Sequence, residues 1–319
     1  MLSKLKRLFF SFRAFAGDFR RHVRYAAGFR PVRASKDTMR CRILLLNHQL
    51  EKAQTYANPK EGYGKEKVGR LLSLLEDYET RFGPDSLCAI SVGVLESHFA
   101  NPAAYKDDAC RKRLDRLAAG LGSVVPPAPG GVILHDGLAE SRKTDFRSVL
   151  AGRRSCRQFA PGKLDRAAVR EAVSMAMHAP SACNRQMVRV HYYDNPETIR
   201  AIVLAQRSDV QWCLDAPALF VVTADECYYR DHLERNQRMF DAGLFSMVLD
   251  LALHSLGIGS CFKMAQKGAA MDRDTKRIGG IPEQEDVCVL ILAGRYPRSP
   301  VPTARSPRLS IDHILAEHA

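Results

Sequence analysis

Apolar residues in the first third of the chain follow helical spacing. Within residues 3–27 they recur at alternating steps of three and four, which places them on one face of an amphipathic helix. Residues 38–120 show helical spacing among their leucines and predict a mainly helical region. The predicted apolar face of the first helix consists of Leu5, Phe9, Phe12, Ala16, Phe19, Val23 and Ala26.

The second half of the chain mixes helical and strand-like patterns. Residues 165–178 predict a helix that is capped by Asp165. Residues 188–193, 218–223 and 287–293 predict strands. The last two strands are apolar almost throughout, as expected for the centre of a sheet. The pattern therefore predicts an α+β fold, with a mixed central sheet flanked by helices and a helical N-terminal extension.

A long helix is predicted over residues 233–256. From Met239 to Leu256 it is apolar on almost every side. Such a helix has to be buried on several faces, and a second subunit is a natural partner for one of them.

A segment rich in proline and glycine, residues 120–138, is the best candidate for a linker. It divides the chain into a basic amphipathic arm over residues 1–33, a helical region with the linker over residues 34–138, and a sheet-containing domain over residues 139–319. No internal repeat is present.

The net charge of +13 is concentrated in the N-terminal arm. Residues 1–33 hold nine basic residues and one acidic residue, whereas the other 286 residues hold 39 basic and 34 acidic residues. A nucleic-acid-binding body would need a basic face of its own, so no nucleic-acid partner is predicted. The arm either packs on its own domain or lies on an anionic membrane surface, and both interpretations stay open.

The nine cysteines include no C-x-x-C pair, and their number is odd. A zinc site or a disulfide framework is therefore not predicted, and a reducing, cytoplasmic location is expected. No run of about 18 uncharged apolar residues occurs, so no transmembrane helix is predicted either.

Four short segments carry candidate chemistry. The first is residues 153–159, in which three arginines and Ser155 suit a phosphate, although arginine-rich turns are also common on solvated surfaces. The second is residues 179–186, whose small and amide side chains could hydrogen-bond a polar ring edge or could simply end a helix.

The third segment is residues 257–261, read as Gly-Ile-Gly-Ser-Cys. Its glycines permit the close approach of a flat ligand, but they also fit a plain helix C-cap. The segment lacks the preceding strand and the third glycine of a dinucleotide fingerprint. The fourth segment joins residues 294–297 to a basic tail at residues 305–309.

Together these four segments resemble, in order and spacing, the motif series of the nitroreductase family of FMN-dependent oxidoreductases. The resemblance covers about residues 145–315. It implies a nitroreductase-like fold, FMN as cofactor, NADH or NADPH as reductant, and a homodimer with shared FMN sites. Residues 44–65, together with the Cys-Asn-Arg-Gln of residues 183–186, resemble a subgroup associated with polysaccharide biosynthesis.

The resemblance also implies roles for individual residues. Arg153, Ser155 and Arg308 would hold the flavin phosphate, and Arg157 would reach the N1/O2 edge of the flavin. Residues 257–261 would form a turn beside flavin N5, and contacts from the opposite subunit would come from the second segment, through Ser181 and Asn184. The full implied cofactor-binding set is Arg153, Arg154, Ser155, Arg157, Pro180, Ser181, Asn184, Gln186, Gly257, Gly259, Ser260, Cys261, Arg305 and Arg308.

The implied reaction alternates between reduction of the flavin by NAD(P)H and its reoxidation by an acceptor. Because the flavin carries this chemistry, no protein residue is predicted to be catalytic. Two departures argue against ordinary nitroaromatic turnover. Met187 and Val188 replace a common Pro-Trp pair, and Ser306 replaces a lysine found in some members, with Arg305 one residue earlier.

Two other functions fit the same residues. One is an accessory protein of polysaccharide assembly at the membrane surface that has reduced activity. The other is a flavin oxidase that uses oxygen and no nicotinamide.

Overall fold

The computed structural model describes residues 2–25, 31, 33, 35–124, 129–207, 211–228, 232–266 and 268–318. The chain forms two compact units. We call them the sheet unit (Met1–Ala16 and His135–Val301) and the helical unit (Gly17–Leu134 and Pro302–Ala319). The three-part division drawn from composition remains a prediction.

The helical unit is built around a leucine-rich core. Ile43, Leu50, Leu71, Leu75 and Leu114 are all fully buried in it. The mainly helical pattern predicted for residues 38–120 is confirmed. The first five helices of the chain are α1 (Leu2–Tyr25), which runs on from the sheet unit, α2 (Lys36–Gln54), α3 (Lys65–Phe82), α4 (Ser86–Ala100) and α5 (Asp108–Gly120).

Side chains cap several of these helices. Ser35 accepts a hydrogen bond from the Thr38 amide at the start of α2, and Asp85 accepts from the Leu87 amide at the start of α4. Such caps satisfy amide groups that would otherwise lack partners.

The sheet unit has a four-stranded antiparallel sheet in the order β2-β3-β5-β4. Its strands β3 and β5 are central, as their continuous apolar sequences predict, and the α+β class is confirmed. A separate two-stranded sheet pairs β1 with β6. The strands are β1 (Val132–His135), β2 (Val188–Tyr193), β3 (Ala218–Asp225), β4 (Ile258–Met264), β5 (Glu285–Arg295) and β6 (Val301–Ala304).

Helices α8 and α11 pack on one face of the four-stranded sheet. Val169 of α8 and Leu253 of α11 share a core with Phe220 and Ile291 of the central strands. Asp165 caps α8, as predicted, by accepting from the Ala167 amide at 3.0 Å. The helices that follow the linker are α6 (Gly137–Ser141), α7 (Phe146–Gly152), α8 (Arg166–Ala176), α9 (Pro196–Ala205), α10 (Gln211–Leu214), α11 (Gln237–Ser255) and α12 (Ala269–Gly279).

Two sequence expectations about α11 are wrong. The helix begins at Gln237 rather than at residue 233, because a separate 3-10 turn precedes it. It is also not apolar on almost every side. Its buried face carries four polar residues, whereas Phe240 and Met247 are exposed. The buried polar residues are Asp241, Ser246, Asp250 and His254.

The predicted N-terminal helix is present as α1, although Ala26 lies outside the described residues. Phe9, Phe12, Phe19 and Val23 of its apolar face are exposed. Among the helices that the structure describes, none combines the length and the apolar character needed to cross a bilayer.

Candidate functional site

The first and third segments lie side by side at the β4 edge of the sheet. Residue 153 directly follows α7, and the Cys156 amide donates a 2.8 Å hydrogen bond to the Ser260 carbonyl. Ser155 and Ser260 form an isolated parallel bridge. The fold therefore brings together two motifs that lie far apart in the sequence.

The third segment is not a turn, which corrects the sequence expectation for residues 257–261. Only Gly257, with φ of 75°, turns the chain after α11. The next residues enter β4, where Gly259 pairs with Gly294 and Ser260 with Ala293. Their pairing with β5 gives the segment strand geometry, because backbone groups inside a protein must find partners. It also brings the fourth segment, through Gly294, next to the third.

Gly259 is required by packing. A Cβ atom at this position would lie 2.8 Å from Cys156 Sγ and 2.9 Å from Tyr296 Cε1. Both distances are too short for carbon contacts, so glycine lets the first segment and Tyr296 approach β4 closely.

Asp250 connects α11 to both segments. Its carboxylate accepts a short hydrogen bond from Ser260 Oγ, and Arg153 Nε lies 3.3 Å from its second oxygen. The Asp250 side chain is only 2% exposed, and this burial raises the pKa of its carboxyl group, although the Arg153 charge opposes the rise. The Asp250 carboxylate therefore orients Arg153 through its Nε atom and accepts the hydrogen bond of the Ser260 hydroxyl.

Arg157 is the most unusual cation of the site. It is 7% exposed, and within the described chain its Nε and Nη1 atoms are buried with no hydrogen-bond partner. Its guanidinium carbon lies 5.8 Å from the centroid of the Trp212 ring. A buried charge with unpaired donors is costly, so this position suits an anionic or carbonyl-rich ligand edge. Arg157 therefore fits the flavin N1/O2 role that the resemblance implies.

The second segment forms a strained loop between α8 and β2. Cys183, Asn184 and Gln186 have φ values of 52°, 54° and 51°. Left-handed conformations cost non-glycine residues free energy and concentrate at functional sites. Ser181 Oγ accepts from the Gln186 amide at 3.1 Å and holds the loop together.

A cavity of about 300 Å³ borders this loop. Pro180, Ser181 and Gln186 line it, together with Arg189 and the buried Asp241. Its volume is at the lower end for small-molecule sites. Residues of the first and third segments are not among those that line it.

The basic tail belongs to the helical unit. The Arg305 amide donates to the Gly131 carbonyl at 2.9 Å, and Arg308 Nη1 donates to the Ser306 carbonyl. The Arg308 side chain is exposed. Its phosphate contact, and that of Arg305, remain predictions.

Two residues of the site region, Asp250 and His254, were missed from the sequence. His254 Nδ1 lies 2.9 Å from the hydroxyl of Tyr296, which belongs to the fourth segment. The sequence did contain an indication of a polar helix face, because Ser246, Asp250 and His254 recur every four residues within an otherwise apolar helix. Polar residues at that spacing share one helix face.

Buried His254 gives the protein an acid-sensitive element. Burial lowers its pKa from 6.5 to about 4, and within the described residues its Nε2 atom has no partner. Between these values the unfolded chain binds a proton that the folded chain does not. As far as His254 is concerned, the free energy of unfolding is therefore highest above pH 6.5 and decreases as the pH falls toward 4.

We expect the free energy of unfolding to fall by roughly 3–4 kcal/mol across this window, since each pKa unit corresponds to about 1.4 kcal/mol. His254→Gln should flatten the dependence, as measured by urea unfolding at several pH values. His178→Gln, at an exposed position, is the matched control. Equal pH slopes for wild type and His254→Gln would contradict the assignment.

The first segment thus carries two features that suit an anionic ligand: Arg153, which is oriented by Asp250, and Arg157, whose Nε and Nη1 atoms have no hydrogen-bond partner among the described residues. Residues 150–211 match the model of the nitroreductase family. This range includes the whole of the first and second segments.

Solved structures also resemble the chain. One is a nitroreductase family protein from Streptococcus pneumoniae TIGR4, at 20% identity and a TM-score of 0.48, covering 55% of this chain and 100% of that chain. Another is an FMN-dependent nitroreductase from Clostridium difficile R20291, at 19% identity and a TM-score of 0.42, covering 47% and 89%. A third is a nitroreductase family protein from Clostridium difficile 630, at 17% identity and a TM-score of 0.45, covering 55% and 99%.

Proposed function

We propose that this protein is an FMN-dependent oxidoreductase. The observation that carries the proposal is Arg157, a buried guanidinium with two donor nitrogens that have no partner among the residues the structure describes. It lies inside the segment that matches the nitroreductase family. When bound, FMN would supply two-electron transfer as hydride. A cation at the N1/O2 edge stabilises the negative charge of a reduced flavin.

The other residues bind and orient the cofactor in this proposal. Arg153 and Ser155 hold the phosphate together with Arg308. Asp250 positions Arg153 for that contact, because the ion pair leaves the guanidinium little freedom. No protein side chain is assigned a catalytic proton transfer.

We further propose a homodimer with one FMN per subunit at the interface. Exposed apolar side chains on α11 and β4 support it: Phe240 is 62% exposed and Met264 is 72% exposed. Exposed apolar surface of this kind is typical of a surface that a partner covers. Ser181 and Asn184 of the second segment would then contact the cofactor of the opposite subunit.

NADH or NADPH is the proposed reductant, and the acceptor is proposed to belong to polysaccharide biosynthesis. The second assignment is supported by residues 44–65 and by the Cys-Asn-Arg-Gln of residues 183–186. We propose a cytoplasmic location, in keeping with nine free thiols.

The test begins with the purified full chain. We expect a flavin absorbance band at one FMN per subunit and a dimer by sedimentation equilibrium. Stopped-flow mixing with NADH and with NADPH should bleach the flavin with at least one of them. Arg157→Gln is expected to slow that reduction by at least about tenfold. Arg170→Gln, at an exposed position on α8, is the matched control and should behave like wild type.

Three outcomes would contradict parts of this proposal. A chain that binds no FMN would instead be an accessory protein. Bound FMN that neither nicotinamide reduces, but that a substrate reduces and oxygen reoxidises, would indicate an oxidase. A monomer that holds stoichiometric FMN would refute the shared sites.

A further inference from the structure

Helix α1 presents a continuous apolar arc to solvent. At about 100° per residue, the apolar side chains described on it span about 120° of the helix circumference. Their exposed fractions are high, reaching 70% for Phe12 and 67% for Phe19. The members of the arc are Leu8, Phe9, Phe12, Phe15, Phe19 and Val23.

Cationic residues border this arc. Lys6, Arg13 and Arg20 are exposed and follow one another beyond its Phe9 edge. The Arg13 guanidinium carbon lies 5.7 Å from the centroid of the Phe9 ring, so this cation stays at the margin of the apolar surface. The sequence of the helix adds Lys4, Arg7, Arg21 and Arg24, against one acidic residue, Asp18.

We propose that α1 docks in the plane of an anionic lipid surface. The apolar arc enters the boundary between headgroups and acyl chains, and the bordering cations meet lipid phosphates. The helix does not cross the bilayer, since its charges interrupt every apolar stretch. The proposal is independent of the flavin chemistry.

The positive charge of α1 favours an anionic membrane over a second protein copy as the partner of its apolar arc. A second copy of α1 would bring like charges together, which costs free energy, whereas an anionic membrane neutralises them. The phenylalanines of the arc are exposed, so a lipid surface can reach them.

Co-sedimentation of the full chain with lipid vesicles tests the proposal. We expect binding to vesicles of phosphatidylcholine that contain phosphatidylglycerol, and much weaker binding to phosphatidylcholine alone. Raising the ionic strength from about 0.1 M to about 1 M shortens the Debye length from about 10 Å to about 3 Å and should weaken binding. Phe12→Ser with Phe19→Ser should reduce the affinity about a hundredfold, since each Phe accounts for roughly tenfold or more.

Phe10→Ser is the matched control, because Phe10 is 50% exposed but lies on roughly the opposite side of the helix from the arc. It should retain nearly all binding. Far-ultraviolet circular dichroism and the urea midpoint check that each variant folds. The proposal is overturned if the full chain ignores anionic vesicles, if the double variant binds like wild type, or if Phe10→Ser loses as much affinity. It is equally overturned if vesicles are ignored and the double substitution instead lowers the sedimenting mass, which would make the arc an interface between copies.

Discussion

Arg153→Ala is expected to weaken FMN binding by about ten- to a hundredfold. The loss corresponds to one charge-assisted hydrogen bond to phosphate, on the order of 1.5–3 kcal/mol. Arg153 suits the contact because Asp250 holds its Nε edge and its side chain retains 20% exposure. Fluorescence titration of the apoprotein with FMN measures the effect.

Arg308→Ala should weaken FMN binding by a similar factor, if the exposed tail reaches the phosphate. Arg170→Ala serves as the control for a general loss of positive charge. If both Arg153→Ala and Arg308→Ala bind FMN like wild type, the phosphate assignment is wrong. If only Arg308→Ala does so, the tail has no part in the site.

Asp250→Ala is expected to lower the free energy of unfolding by about 2–4 kcal/mol. Removing one partner of a buried ion pair costs about 3–5 kcal/mol, and the partial exposure of Arg153 reduces that figure. The substitution also leaves the buried Ser260 hydroxyl without its acceptor. The urea midpoint, at an unchanged slope, reports the loss.

Asp250→Asn is the informative companion. It keeps the acceptor for Ser260 and removes only the charge, so it should cost less than Asp250→Ala. A loss below about 1 kcal/mol for Asp250→Ala would mean that water replaces the carboxylate easily. The network would then not hold Arg153.

The main elements of the sheet unit could be predicted from the sequence where one physical signal dominates. Continuous apolar runs indicated β3 and β5, and Asp165 marked the start of α8. Strand β4 was missed because glycines at residues 257 and 259 suggest a turn. Its strand geometry depends on pairing with β5, which local sequence does not encode.

The candidate site was predictable only as separate segments. The arginines of the first segment indicated an anion, but their chemistry depends on burial and on partners brought from other elements. Asp250 and His254 were hidden because the average apolar character of α11 outweighed its polar residues. Which face of that helix is buried became clear only from the packing of α8 and the sheet against it.

The helical unit is made from two separated stretches of chain, which the ribosome therefore synthesises at different times. Within the described residues, every member of its hydrophobic core precedes residue 122. The tail from residue 302 adds polar contacts such as the one between Arg40 Nη2 and His313 Nε2, at 2.5 Å. At about 5–20 residues per second, a ribosome would deliver the core roughly 10–40 seconds before the tail. The helices can thus collapse while the sheet unit is still emerging, and the tail closes onto a body that is already folded.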